Sequence, residues 1–203
     1  MIEGKNICKK FEDRILFHEY NFLIEDGEFV CFSGRSGCGK TTLLNMIGMI
    51  EPVDSGEIRI DGKNYLKNRQ KIDYFRNKVG FLFQNFALVE TWTVKENLEM
   101  IPKKYRTEYT IENVLQMVGM QEQIDHPVYT LSGGEQQRIA IARLLLKKCD
   151  IVLADEPTGS LDSINALNIM KMLKKMNYGG KTIVLVTHDS DTRRMADRVV
   201  EIG

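Results

Sequence analysis

The chain has 203 residues, 43% hydrophobic and 28% charged, a composition that can build and bury a globular core. Its 28 Lys and Arg balance 28 Asp and Glu, so the formal net charge is zero. That balance argues against coating nucleic acid, for which no partnership is expected, and against direct adhesion to anionic lipid. No run of about 18 apolar residues is present, so no membrane span is expected. The start, Met-Ile-Glu-Gly-Lys-Asn, does not read as a signal peptide, and Cys8, Cys31, Cys38 and Cys149 lack the C-x-x-C spacing of a zinc site. The expectation is a cytoplasmic protein that touches a membrane only through a partner.

In chain order, β-branched and aromatic runs predict strands over Ile2–Lys10, Arg14–Phe17, Asn21–Ile24 and Glu28–Phe32. A glycine-rich loop spans Gly34–Gly39, and Lys40–Met49 reads as a helix with Leu43, Leu44 and Ile47 on one side. Strands follow at Glu57–Ile60 and Val79–Phe83. The middle of the chain is patterned as helices over Val94–Ile101, Thr110–Val118 and Glu135–Lys148, punctuated by Pro102 and Pro127. Strand Ile151–Ala154, helix Ser163–Met176, strand Lys181–Thr187, helix Ser190–Ala196 and strand Arg198–Ile202 complete the chain. Alternation of this kind predicts a mostly parallel α/β sheet with helices on both faces. The helical block, about residues 93–149, reads as an insertion between core segments 1–92 and 150–203, after an N-terminal β-rich part.

Gly34-Arg35-Ser36-Gly37-Cys38-Gly39-Lys40-Thr41 matches G-x-x-x-x-G-K-[ST] and lies between a predicted strand and a predicted helix. Glycines let the backbone wrap a polyphosphate closely, and successive amides plus the helix N-terminus form an anion nest. Lys40 would supply a full charge to the phosphates, and Thr41 a hydroxyl to Mg²⁺. This motif alone fits a kinase, a GTPase or a transport ATPase. A second motif, Ile151-Val152-Leu153-Ala154-Asp155-Glu156, is an apolar strand ending in two carboxylates. Asp155 would hold Mg²⁺, and Glu156 would polarise the attacking water as general base.

Leu131-Ser132-Gly133-Gly134-Glu135-Gln136-Gln137-Arg138 resembles the LSGGQ signature of ATP-binding-cassette (ABC) ATPases, with Glu135 in place of the usual Gln. The run also reads as a helix start, with Ser132 as N-cap and Glu135 closing a capping box; both readings can hold together. The resemblance extends from Ile2 to Ile202. It implies an ABC nucleotide-binding domain with a P-loop NTPase (RecA-like) core, an N-terminal antiparallel β subdomain and an inserted α-helical subdomain, with ATP and Mg²⁺ as ligands. It further implies two ATP buried between two copies of the chain, each site finished by the other copy's Ser132 and Gly134. By the same resemblance Gln84 is the glutamine that contacts Mg²⁺ and water, and Ser160-Leu161-Asp162 is the D-loop. His188 is the histidine that reaches the γ-phosphate, Phe11 is the aromatic that stacks on adenine, and Thr42 joins the phosphate-loop ligands.

The loop departs from many relatives at Arg35 and Cys38, and neither change removes a backbone donor. Cys38 places a thiol beside the phosphates, so alkylation is expected to inhibit and ATP to protect. The segment Asn85-Phe86-Ala87-Leu88-Val89-Glu90-Thr91-Trp92-Thr93 corresponds to the stretch that grips the membrane subunit in transporters. Its apolar residues suit either that contact or internal packing. The chain ends one strand after His188, so no regulatory tail is expected. Phe83-Gln84-Asn85-Phe86 and the run Asp155 to Asp162 are similar to an export-type group that serves macrolide, lipoprotein-release and bacteriocin or antimicrobial-peptide systems, with the multi-span permease as a separate chain. The alternatives are a soluble ABC protein of translation or DNA maintenance, and a P-loop kinase or other NTPase.

Overall fold

The structure, a computed structural model, describes residues 1–65, 68–159 and 161–202. β1 (Ile2–Phe11) and β2 (Arg14–Ile24) form an antiparallel pair, and β4 (Ser55–Ile60) pairs antiparallel with the other edge of β1. The break expected between Arg14–Phe17 and Asn21–Ile24 does not occur. Register shifts against β1 absorb the irregularity, with Glu19 at φ 50° and its amide donating to Cys8 Sγ at 3.4 Å.

β3 (Phe29–Ser33), β5 (Val79–Leu82), β6 (Ile151–Asp155), β7 (Thr182–Val186) and β8 (Arg198–Glu201) form an all-parallel sheet of order β5-β6-β7-β3-β8. Successive side chains of a strand point to opposite faces, and here both faces are covered. Val30, Phe32, Leu153, Val184 and Val186 pack with the three-stranded sheet and with α1 (Lys40–Ile47). Phe29, Cys31, Val152, Ala154, Ile183 and Leu185 pack under helices on the other side. Those helices are α3 (Val94–Glu99), α4 (Ile111–Val118), α5 (Gly133–Leu146) and α6 (Ser163–Tyr178), and the apolar residues of the helical block join this second core without interruption.

The sequence pattern missed α2 (Asn68–Asn77). It is strongly polar, and its anchor is Tyr74, fully buried with its hydroxyl donating to the Ile47 carbonyl at 3.0 Å. α1 stops at Ile47 instead of Met49 because Gly48 caps it and Met49 turns left-handed at φ 58°. α7 (Ser190–Arg193) is shorter than the expected Ser190–Ala196. No helix among the described residues is long and apolar enough to cross a membrane.

Candidate active site

The carboxyl edge of the parallel sheet gathers the chemistry. The glycine loop leaves β3, the Asp155–Glu156 pair ends β6, Thr187 and His188 follow β7, and Gln84 follows β5. Ligands of open α/β sheets bind at this edge.

Two loop glycines are required by geometry. A Cβ on Gly34 would stand 2.2 Å from the Ile202 carbonyl oxygen, and Gly39 takes φ 104° as the N-cap of α1. No side chain caps α1 and no acid occupies its first turn, whereas Thr93, Thr110, Ser132, Asp162 and Asp189 cap α3 to α7. The first amides of α1 have no intrahelical partner by construction. Lys40 folds across the loop, its Nζ donating to the carbonyls of Gly34 at 2.8 Å and Arg35 at 3.0 Å. Arg35, Ser36, Gly37 and Thr41 are exposed, Cys38 and Thr42 are half-buried, and Cys38 Sγ lies 4.0 Å from Lys40 Nζ. Open amides, a cationic side chain and absent Cβ atoms fit a polyphosphate.

The Thr41 hydroxyl donates to Asp155 Oδ1 at 3.1 Å, joining two motifs 114 residues apart. Burial pushes the Asp155 carboxyl above its ordinary value; the Thr41 bond opposes this, the nearby Glu156 charge adds to it and Lys40 opposes it. A hydroxyl and a carboxylate meeting over exposed space are the hard oxygen donors Mg²⁺ takes.

Glu156 has φ 44°, a left-handed conformation that costs a non-glycine residue about 1–3 kcal/mol. Its surroundings hold it there. Its amide donates to the Val186 carbonyl at 2.9 Å, Oε2 accepts from the Thr187 hydroxyl at 3.0 Å, and Oε1 lies 2.8 Å from His188 Nδ1. A carboxylate can only accept, so with Glu156 ionised the His188 proton sits on Nδ1. Gln137, fully buried on α5, donates to the next carbonyl, that of Pro157, at 2.8 Å.

Phe11 is 46% exposed at the end of β1, in register with Arg14, whose guanidinium donates to the Gly37 carbonyl at 2.7 Å. Arg14 thus links this end of the hairpin to the phosphate loop, and the Phe11 ring has Lys9 Nζ 4.9 Å from its centroid. Gln84 is exposed and lies past the end of β5.

Ser132, Gly134 and Asp162 make local contacts within the chain. Ser132 carries the full capping box, its hydroxyl donating to Glu135 Oε2 at 2.7 Å and its amide to the same oxygen at 2.8 Å. Gly134 lies against Asn165 of α6. Asp162 caps α6, its Oδ1 accepting from the amides of Ile164 and Asn165 at 3.0 and 2.9 Å. None of the three hydrogen-bonds to this chain's own phosphate loop among the described residues, and Ser160 lies outside them. Of the residues 85–93, Phe86 and Leu88 are half-buried against the helical core, while Trp92 is 42% exposed. Internal packing therefore claims Phe86 and Leu88 of this segment. Arg14, Thr187 and Gln137 were not legible as site residues, since each acts through a contact distant in sequence or through an unremarkable neighbour position.

A glycine loop with no room for a Cβ at Gly34, a carboxylate pair ending the next strand but one and a capped glycine turn opening α5 define a P-loop ATPase of the cassette type. The chain belongs to the ABC transporter family, whose pattern matches residues 17–159. It is 39% identical to the uncharacterized ABC transporter ATP-binding protein MJ1508 of Methanocaldococcus jannaschii, over 100% of this chain and 95% of that protein. It is also 39% identical to the macrolide export ATP-binding/permease protein MacB of Campylobacter jejuni, over 100% of this chain but 33% of that protein's length. A dimeric structure of the ATP-binding cassette MJ0796 in a post-hydrolysis state, bound to ADP and Pi, superposes with a TM-score of 0.88 at 38% identity, covering 100% of this chain and 94% of that one. The chain is an ATP-binding, ATP-hydrolysing cassette, and these relatives do not favour a soluble protein of translation or DNA maintenance.

Proposed function

We propose that the chain hydrolyses ATP at this sheet edge to drive a separate multi-span membrane permease of the export type, working as an ATP-sandwich dimer with a second copy of itself. The observation that carries this is the convergence of Lys40, the Thr41–Asp155 pair and the held Glu156–His188 pair on one edge. Gly34 to Thr42 cradle the triphosphate with their amides, and Phe11 stacks on the base. Thr41, Asp155 and Gln84 are the residues that would hold Mg²⁺, which supplies neutralisation of phosphate charge. Glu156, aimed by Thr187, takes the proton of the attacking water, and His188 holds that carboxylate and reaches toward the γ-phosphate. The side chain of Ser132, the amide of Gly134 and Asp162 of one copy complete the site of the other, in keeping with their making no hydrogen bond to their own phosphate loop among the described residues. Residues 1–92 and 150–203 act as the catalytic core and 93–149 as the helical arm. Exposed Trp92 is the apolar element left for the permease, and the protein sits on the cytoplasmic face of the membrane through that partner. The macrolide export named for MacB supports the export reading. The cargo, an antimicrobial peptide or bacteriocin, a macrolide or a lipoprotein, is chosen by the permease.

The test is the tagged Glu156→Gln protein, expressed in its host and extracted gently from membranes. It should bind ATP, lose most turnover and form an ATP-dependent dimer on light scattering. A multi-span protein should come down with it in stoichiometric amount. Near wild-type turnover in this variant would disprove the base role, and recovery of ribosomes or DNA instead of a membrane protein would disprove the transporter role.

A further inference from the structure

The segment after Gln84 has an unusual backbone and an unusual anchor. Phe86 and Ala87 are consecutive non-glycine residues in the left-handed region, at φ 60° and 49°. Such conformations persist only where the surroundings hold them. The holder is Arg143, three turns along α5 from the capped glycine start. Its Nη2 donates to the Phe86 carbonyl at 2.8 Å and its Nη1 to the Ala87 carbonyl. Among the described residues no carboxylate lies within ion-pair distance of Arg143, and desolvation lowers its pKa from the ordinary value. A desolvated guanidinium satisfied by carbonyl oxygens strongly favours keeping them in place.

The same segment approaches α5 a second time. The Phe86 ring tip is 3.9 Å from where a Cβ on Gly133 would stand. Its far end is tied by Asn97, fully buried on α3, which accepts from the Val89 amide at 2.8 Å and donates to the carbonyls of Val89 and Thr93 at 3.0 Å. Residues 86–93 are therefore fastened to the helical block, while Gln84, two residues before Phe86, lies two residues past the end of β5 in the parallel sheet.

We propose that Arg143 is a positioning residue for ATP hydrolysis, forcing the left-handed turn at Phe86–Ala87 so that Gln84 and the glycine start of α5 are set by one helix. The proposal rests on the site reading above, in which Gln84 and Ser132 serve the reaction. A lysine at this position keeps the positive charge but not the two-pronged donor geometry that grips adjacent carbonyls. Glycine at position 87 adopts positive φ without a Cβ penalty, so it relieves the strain that Arg143 otherwise holds in place.

The experiment uses the full chain as wild type, Arg143→Lys, and Arg143→Lys combined with Ala87→Gly. It measures kcat and KM for ATP, and acrylamide quenching of Trp92, the single tryptophan of the sequence, which lies on this segment. Arg143→Lys should lower kcat roughly tenfold with KM changed less than about threefold, and should raise the quenching constant. Adding Ala87→Gly should restore most of the kcat and return the quenching toward wild type. Wild-type kcat and quenching in Arg143→Lys would overturn the proposal, as would a loss of kcat that merely tracks loss of folded protein by circular dichroism, or a double variant that recovers nothing. If the wild-type chain itself turned over no ATP, the site reading would fall and the proposal with it. Turnover that is normal in both wild type and Arg143→Lys would remove the proposal alone.

Discussion

Replacing Ser132 by alanine separates what that residue does for its own helix from what it does for a second copy. Within the chain it is a cap: its hydroxyl accepts from the Glu135 amide at 3.4 Å and donates to Glu135 Oε2 at 2.7 Å. Losing an N-cap side chain costs about 1 kcal/mol. In a chain of this size that lowers Tm by roughly 2–4 °C. A domain stable by about 5–15 kcal/mol remains overwhelmingly folded after such a loss, so capping alone leaves turnover nearly intact. If the hydroxyl also stabilises phosphate charge in the other copy's site, its removal costs on the order of 10²–10³ in kcat. Calorimetry and steady-state ATP hydrolysis on the same preparation read the two effects separately. Glu135→Gln is the matched control, because glutamine still closes a capping box while removing the carboxylate, which the Ser132 hydroxyl and amide hold below the usual range. It should keep both Tm and turnover. A Ser132→Ala protein that loses its few degrees of Tm but keeps kcat within about threefold of wild type would refute the two-copy site.

Two further outcomes follow from the geometry. Maleimide alkylation should abolish ATP hydrolysis, ATP should slow it, and Cys38→Ser should escape it; Cys31 and Cys149 are buried and Cys38 adjoins Lys40, so inhibition that persists in Cys38→Ser would count against the placement of this thiol. Asp197 ties the sheet to α6, bonding Lys174 at 2.6 Å and accepting from the Phe29 amide at 3.0 Å, and the Lys174 bond holds its carboxyl below the usual range against the opposing effect of burial. A carboxyl lowered on folding stabilises above the unfolded pKa of about 4 and loses that contribution as pH falls through the folded value. The Tm gap between wild type and Asp197→Asn should therefore be present at pH 7 and shrink at about pH 3; a gap independent of pH would contradict this assignment.

The phosphate loop, the Asp155–Glu156 strand end and the Ser132 cap were all readable in the sequence, because each is a local device. Glycine spacing, a hydrophobic strand ended by acids, and a serine three residues before a glutamate carry their meaning within a few positions. The strand and helix periods were likewise clear wherever one face is buried, as in Ile151–Asp155 and Ile111–Val118. Polar α2 was not legible, since its attachment is one buried tyrosine. The continuity of β2 was hidden by its own register shifts.

What the sequence alone determined is thus the kind of chemistry and the order of its parts. Tertiary structure decided which parts meet. The parallel order β5-β6-β7-β3-β8 is what brings Thr41 to Asp155 and His188 to Glu156. Packing decided that Phe86 and Leu88 turn inward while Trp92 stays exposed, and that Arg143 holds two left-handed residues 56 and 57 positions away. These are long-range contacts, fixed by how sheet and helices bury their shared apolar faces, and no local pattern of residues encodes them.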